Sequence, residues 1–454
     1  MNESNHQKSG IFRFMKALFP DFKYQLNDDN SSYTLISARK KLKGNITVPS
    51  FYKDLPVTAI GSSAFLNCNK IKSITVPNGI TSIGKGAFAN CSELSEIYLP
   101  EGIEVLSEDI FLSCSNLTTI HIPKSLRTVE KSAFRACRSL SEIYLPDTVT
   151  IIENEAFMFS GIRSFIFPKG VTRIAPFTFR SCDRLSDIII PEEIKSIGQQ
   201  AFAHCYGLEE ITIPKSVQNL ETAIFLRCRF LKTAILPQGI EEISDFLFHG
   251  CHSLESVTIP DSVKRIGDDA FSFCYHLKEL NLPDSITYIG EHAFSDHSFI
   301  SSGILPKNLE IIKRLAFYKC RCPDEIVIPN TVKIIEKEAF SDCRSPKSIV
   351  ISKSITSINE YTFSDCLDLD NVTVPEGVTS IDEKAFAYCT KLKSISLPHS
   401  LNKIDNFAFY RCNSLKEITY SGTINDWYSV KKTGYPNDEE KPTVKCTDGK
   451  TSFD

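Results

Sequence analysis

The chain has 454 residues, 42% hydrophobic and 23% charged, with a formal net charge of −4 and a pI near 6.2. This is the composition of a folded soluble chain. It excludes a basic nucleic-acid binder, which needs an excess of Lys and Arg to neutralise phosphates. No apolar run approaches the length of a membrane-spanning helix.

In chain order, residues 1–20 read as an amphipathic N-terminal tail ended by Pro20. Arg13 and Lys16 interrupt its apolar patch and no small-residue cleavage site follows, so it does not read as a signal peptide. Residues 21–56 are expected to form an N-terminal cap and first strand, with a loop from Ser50 to Pro56. From 57 to 420 one unit recurs. A phenylalanine returns sixteen times from Phe65 to Phe409; fourteen of the fifteen intervals are 23 residues and one, Phe157 to Phe179, is 22. Periods of this length signal a solenoid. The residue before each Phe is Ala in eleven copies, and the third residue after it is Cys in fourteen, with Ser160 and His297 as exceptions.

Apolar columns and a proline follow, as in "SLSEIYLP" with Leu140, Ile143, Leu145 and Pro146. The consensus is AFxxCxxLxxIxIPxxVxxIxx. The alternating pair before the proline predicts a short strand with one buried face. The proline, which lacks an N–H, suits its end, and "PNG", "PEG" and "PDS" supply a turn. The stretch "IGxxAF" turns the chain back as a short 3₁₀ or strand-like segment. One unit cannot fold alone: ordering each backbone residue costs roughly 1–2 kcal/mol, and each of its few buried side chains returns only roughly 1.5–3 kcal/mol. Stability must therefore come from stacking on neighbours. The short repeat at Ser160 and Gly161 predicts a local kink, eased by the glycine. Residues 421–454 are expected to form a C-terminal cap and tail, with the last ~20 loosely ordered.

The fourteen column cysteines are expected as free, buried thiols that pack as small hydrophobes, with S–H groups able to satisfy turn carbonyls. This spacing fits a reducing compartment better than a disulfide framework. The pair Cys320 and Cys322 in "KCRCP" is too sparse for a zinc site, so Cys322 is expected in a turn and Cys446 as a free cap thiol. No HExxH, GxSxG or P-loop occurs. "SIGK" at 82–85 lies in an ordinary repeat turn, and the sequons at 45–47, 116–118 and 371–373 need a secretory route. No catalytic residue, metal site or cofactor is predicted.

The repeat resembles the BspA-like leucine-rich repeats, over roughly residues 44 to 420. "ITVPSFYKDLPVTAIGSSAF" (46–65) looks like that family's first repeat. "ITYSGTINDWYSVKK" (418–432) with "VKCTDGK" (444–450) looks like its closing cap, Trp427 standing for a repeat Ile. The resemblance implies an α/β-type repeat solenoid, a leucine-rich-repeat-like right-handed superhelix with one short parallel strand per 23-residue repeat and low helix content. It also implies a non-enzymatic protein at the cell surface or secreted, implicated in adhesion. The chain's own residues, without signal peptide or membrane helix, point to the cytoplasm.

A solenoid offers its strand face as an extended binding surface. The outward positions two residues before each proline include Tyr98, His121 and Tyr144, expected to stack side by side as an aromatic anchor. Ile304, Val327 and Val350 form a second, apolar patch that something should cover. Two residues earlier the column is partly acidic, with Glu96 and Glu142 beside the tyrosines, which favours a basic partner. The expected role is binding of a protein or cell-surface ligand through this face. The alternative is a structural spacer or self-associating surface-layer component, and the oligomeric state is open.

Overall fold

The computed structural model describes residues 21–278, 280–296, 305–433 and 441–453; the expected tail at 1–20 lies outside them. The chain forms two compact units, Met1–Gly207 and Leu208–Asp454.

Unit one opens with an antiparallel pair, Phe22–Leu26 with Tyr33–Ala38. Tyr33–Leu35 then pairs in parallel with Leu55–Ile60. The segment 50–56, expected as a loop, is a tight hairpin instead: Phe51 and Tyr52 pair antiparallel with Pro56 and Leu55. Lys53 and Asp54 take φ of 50° and 66°, the left-handed conformations that a two-residue hairpin turn demands.

Most of the predicted strands lie where the alternation put them, although the segment with Ile143 and Leu145 that exemplified the pattern forms none. Ser73–Thr75, Glu96–Tyr98 and Thr119–His121 pair in parallel and in register, with Ile74 and Ile97 fully buried. The prolines close the following turn through their carbonyls, as where Val149 N–H donates to Pro146 C=O at 3.0 Å. Most coils also hold a second two-residue strand beyond the one expected. Val105–Leu106, Thr128–Val129 and Ile151–Ile152 form such a ladder. Unit two repeats the pattern. One ladder runs from Glu325–Val327 through four further strands to Thr443–Cys446; the second-strand ladder runs from Glu242–Ile243 to Ile334–Ile335.

Neither ladder involves the Phe segment, yet that segment is hydrogen-bonded most regularly of all. Around Phe65, the N–H groups of Ser63, Phe65 and Asn67 donate to the carbonyls of Lys85, Ala87 and Ala89 in the next coil, at 2.9, 2.7 and 3.0 Å. Around Phe271, those of Asp269, Phe271 and Phe273 donate to Glu291, Ala293 and Ser295 at 2.8, 2.8 and 3.0 Å. The intervening N–H groups turn back within their own coil: Leu66 donates to Ser63 and Cys68 to Phe65. This geometry places a left-handed residue two positions before and two after every repeat Phe, and only Gly86 and Gly250 among them are glycine. The rest are L side chains at φ near +60°, for example Asn67, Ala136 and Phe159.

The Phe rings stack behind this strip. In unit one, successive centroids from Phe88 to Phe202 lie 5.4 to 5.6 Å apart; in unit two, from Phe225 to Phe409, 5.0 to 5.8 Å. Each stack ends edge-on against a cap residue: Phe22 meets Phe65 at 6.0 Å and Phe453 meets Phe409 at 6.2 Å. The C-terminal cap holds the one described helix, Ile424–Ser429, whose Thr423 and Asp426 form a capping box. Its Trp427 is fully buried and donates to the Ser452 carbonyl at 3.2 Å. The chain end is therefore more ordered than expected. Thr443–Cys446 and Gly449–Ser452 form an antiparallel hairpin that extends the sheet, and Phe453 is driven into the cap core.

The column thiols are free and buried. Each has a job that the sequence allowed and the structure specifies. Cys91, Cys114 and Cys137 donate to the carbonyls of Phe65, Phe88 and Phe111 in the preceding coil at 3.2, 3.1 and 3.2 Å, and Cys389 and Cys412 do the same in unit two. Burial pushes the thiols up, to about 11 for Cys68 and about 12 for Cys182.

Next to the 22-residue repeat, both strand ladders break. Residues 141–146 carry no strand, and Ile151–Ile152 and Arg173–Ile174 belong to separate ladders. The Phe strip does not break: Phe134 donates to Ala156 at 2.8 Å and Phe157 to Thr178 at 3.0 Å. Gly161 is needed here for closeness rather than for a left-handed backbone, since a Cβ would sit 2.1 Å from the Arg138 carbonyl oxygen.

Three outcomes test this reading. Phe134→Ala should cost roughly 3–5 kcal/mol by urea denaturation, and a loss under about 1 kcal/mol would place the ring outside the core. Ala136→Gly, at φ 61°, should stabilise by about 1 kcal/mol because it removes the Cβ clash of a left-handed L residue; a destabilised variant contradicts the assigned conformation. In the unfolded chain thiols ionise near pH 9, whereas in the folded chain they hold their protons higher. Stability should therefore be complete below about pH 9 and fall above it by ~1.4 kcal/mol per pH unit for each such thiol. A urea midpoint unchanged to about pH 11 would refute the buried column.

Candidate functional site

The first ladder of unit one carries the candidate residues, because strand alternation turns Ile97 and Ile120 inward and their neighbours outward. Tyr98 and His121 are register partners and stack at 3.9 Å with 8° between their planes. Glu96 binds both: the Tyr98 hydroxyl donates to Oε1 at 2.7 Å, and His121 Nε2 lies 3.1 Å from the same oxygen. The Tyr98 bond, and secondarily His121, holds the Glu96 carboxyl below its usual range, and the same bond raises the Tyr98 phenol. One carboxylate oxygen thus pins a flat aromatic plate.

Tyr144 does not join the stack. It follows His121 by one repeat but lies in the segment without strand pairing. Its hydroxyl donates to Glu142 at 3.1 Å, which raises the phenol. Tyr144 stands 71% exposed beside Ile166 at 71% and Ile189 at 79%, which hold the same position two residues before the prolines of the next two coils. Phe165 and Ile188 pair in register and point inward, so Ile166 and Ile189 project from consecutive coils. Together with Glu142, Phe167 and Asp187 they line a shallow depression of about 460 Å³. The sequence signal was available: the outward column reads Thr75, Tyr98, His121, Tyr144 and then turns to Ile166 and Ile189.

The second expected patch comprises Ile304, Val327 and Val350. Val327 and Val350 are register partners, half-buried and exposed respectively, and Ile304 lies outside the described residues. Cys322, expected in a turn, is instead buried, with its Sγ 3.5 Å from that of Cys343. Among the described residues no cluster of three or more His, Cys, Asp or Glu is arranged to hold a metal ion, and no helix is long and apolar enough to cross a membrane.

The model of the BspA type leucine-rich repeat region matches in six copies over residues 43–163, 106–232, 150–277, 225–324 and 310–430. No curated protein matches significantly. A leucine-rich repeat protein from Bacteroides ovatus is 23% identical and superimposes with a TM-score of 0.57, covering 94% of this chain and 99% of its own. A leucine rich cell surface protein from Faecalibacterium prausnitzii is 25% identical, with a TM-score of 0.39 over 92% of this chain and 97% of its own. The repeat spacing, the stacked coils and the family match agree, and the chain belongs to the BspA-type leucine-rich repeat family.

Proposed function

We propose that this protein is a non-catalytic binding protein that recognises a protein or cell-surface ligand through the strand face of unit one. The observation that carries this reading is the exposure of Tyr144, Ile166 and Ile189 on three consecutive coils. Isolated exposed apolar residues are ordinary, but a contiguous apolar surface with an acidic margin is the pattern of an interaction site. Strand propensity alone would be met equally by Thr, which holds the same position at Thr75, Thr212 and Thr258. Glu142 and Asp187 at the margin favour a partner segment that combines an aliphatic or aromatic anchor with Lys or Arg. The Tyr98–His121 plate, fixed by Glu96, extends the surface by two coils. Leucine-rich repeat proteins commonly work by protein interaction, and the family supports the same direction.

The double substitution Ile166→Ser with Ile189→Ser leaves the inward Phe165 and Ile188 in place. It should weaken binding of a partner identified with the wild-type protein by at least ~10-fold, or about 1.4 kcal/mol, without shifting the melting temperature. Unchanged affinity would remove this surface as the anchor. Sedimentation of the wild-type protein over a range of concentrations tests the self-associating alternative, which requires assembly that the same double substitution abolishes.

A further inference from the structure

One repeat departs from the pattern in a way that creates a new chemical group. After most column cysteines a turn closes through the N–H three residues on, as where Leu140 donates to Cys137 C=O at 3.1 Å. After Cys320 that position is Pro323, and after Cys343 it is Pro346. Proline has no N–H to donate and no leucine side chain to place in the core. The chain beyond Cys320 forms no such turn, and Cys322 swings inward to 4% exposure. Its sulfur occupies core space next to the column. The column sulfur it meets, Cys343 Sγ, is 3.5 Å away and sits 3.1 Å from the Phe317 carbonyl oxygen, as its counterparts do in other coils.

We infer that Cys322 and Cys343 are an oxidisable dithiol, which a peroxide converts to a disulfide joining two consecutive coils. The separation of 3.5 Å must close to the ~2.05 Å of an S–S bond, a movement within reach of side-chain rotation. The Cys322 thiolate attacks one peroxide oxygen. The O–O bond breaks, and the departing hydroxide takes a proton to leave as water, which gives the Cys322 sulfenic acid. The Cys343 sulfur then attacks the Cys322 sulfur, the S–O bond breaks, and the Cys343 proton leaves with the hydroxide as a second water. Two thiols are oxidised and one peroxide is reduced to two waters. The neighbouring sulfurs, Cys320 first and Cys343 second, hold the Cys322 thiol below its usual range, which favours it as the attacking group. Peroxide is small enough to reach a core thiol that bulkier disulfide reagents would not.

The crosslink would sit just before the strands Glu325–Val327 and Ser348–Val350, which pair in register. Oxidation would therefore staple the two coils that present Val327 and Val350.

The experiment uses the full-length reduced protein treated with hydrogen peroxide, followed by non-reducing tryptic mapping. Trypsin cleaves after Arg321, so Cys320 and Cys322 fall on different peptides. The expected result is a loss of two hydrogens from the intact mass, a peptide linked between Cys322 and Cys343, and reversal by dithiothreitol. Cys322→Ser should abolish the linked peptide and Cys446→Ser should retain it. A Cys320–Cys322 link, oxidation confined to Cys446, or no change at Cys322 after complete Cys446 oxidation would each overturn the proposal.

Discussion

The hydrogen bonds that leave the Phe strip for the next coil are the constraint from which the rest of each unit follows. Around most repeat Phe residues three alternate N–H groups point along the stack to the next coil, and the chain must round two tight corners to aim them. That demands a left-handed residue on either side of the Phe, about 1 kcal/mol unfavourable for each non-glycine residue. The protein accepts this cost because every bond is made to a neighbour held at the same spacing, so that the conformation is over-determined by its surroundings. The strip persists where the strand ladders fail, at the 22-residue repeat. It is therefore the more basic continuity of the stack, and the short strands are its accompaniment.

The cysteine column is explained by the same strip. The Phe carbonyl already accepts from the Cys N–H of its own coil, as Phe65 does from Cys68 at 3.0 Å. Its remaining lone pair faces the apolar interior. A thiol from the following coil fills that space and donates a weak hydrogen bond, as Cys91 does. Serine could donate more strongly but would bury a more polar oxygen, and alanine would leave both a void and an under-satisfied carbonyl. Where the column lacks its cysteine, Ser160 packs its hydroxyl 3.4 Å from Cys182 Sγ. The same tolerance for sulfur in the core allows Cys322 to replace a leucine and so bring two thiols together.

Because packing consumes one face of each strand and the whole Phe strip, the outward strand positions are left to chemistry. Just before the strands of unit two, exposed ion pairs join adjacent coils, such as Lys232 with Glu209 at 2.7 Å and Lys347 with Asp324 at 2.7 Å, each worth little in water. In the column two residues before the proline, Tyr144, Ile166 and Ile189 are the most exposed large hydrophobic side chains of unit one, at 71%, 71% and 79%.

Much was legible before any coordinates. The 23-residue spacing fixed the repeat, its buried columns, the proline turns and the family, because a periodic core can be built in few ways from one short unit. Tyr98 and His121 were read as stacking partners on the same evidence, since residues one period apart must be neighbours. The tertiary structure alone decided the rest, for reasons that lie between coils or outside the period. The coil carrying Tyr144, next to the short repeat, forms no strand, and its ring does not stack on His121 as Tyr98 does. The left-handed corners have no sequence signature when Glu, Phe or Lys can occupy them. The inward turn of Cys322 depends on two prolines whose effect is the absence of a hydrogen bond. The ordered C-terminus needed Trp427 and Phe453 to find the open end of a ring stack, a contact that no spacing within the tail encodes.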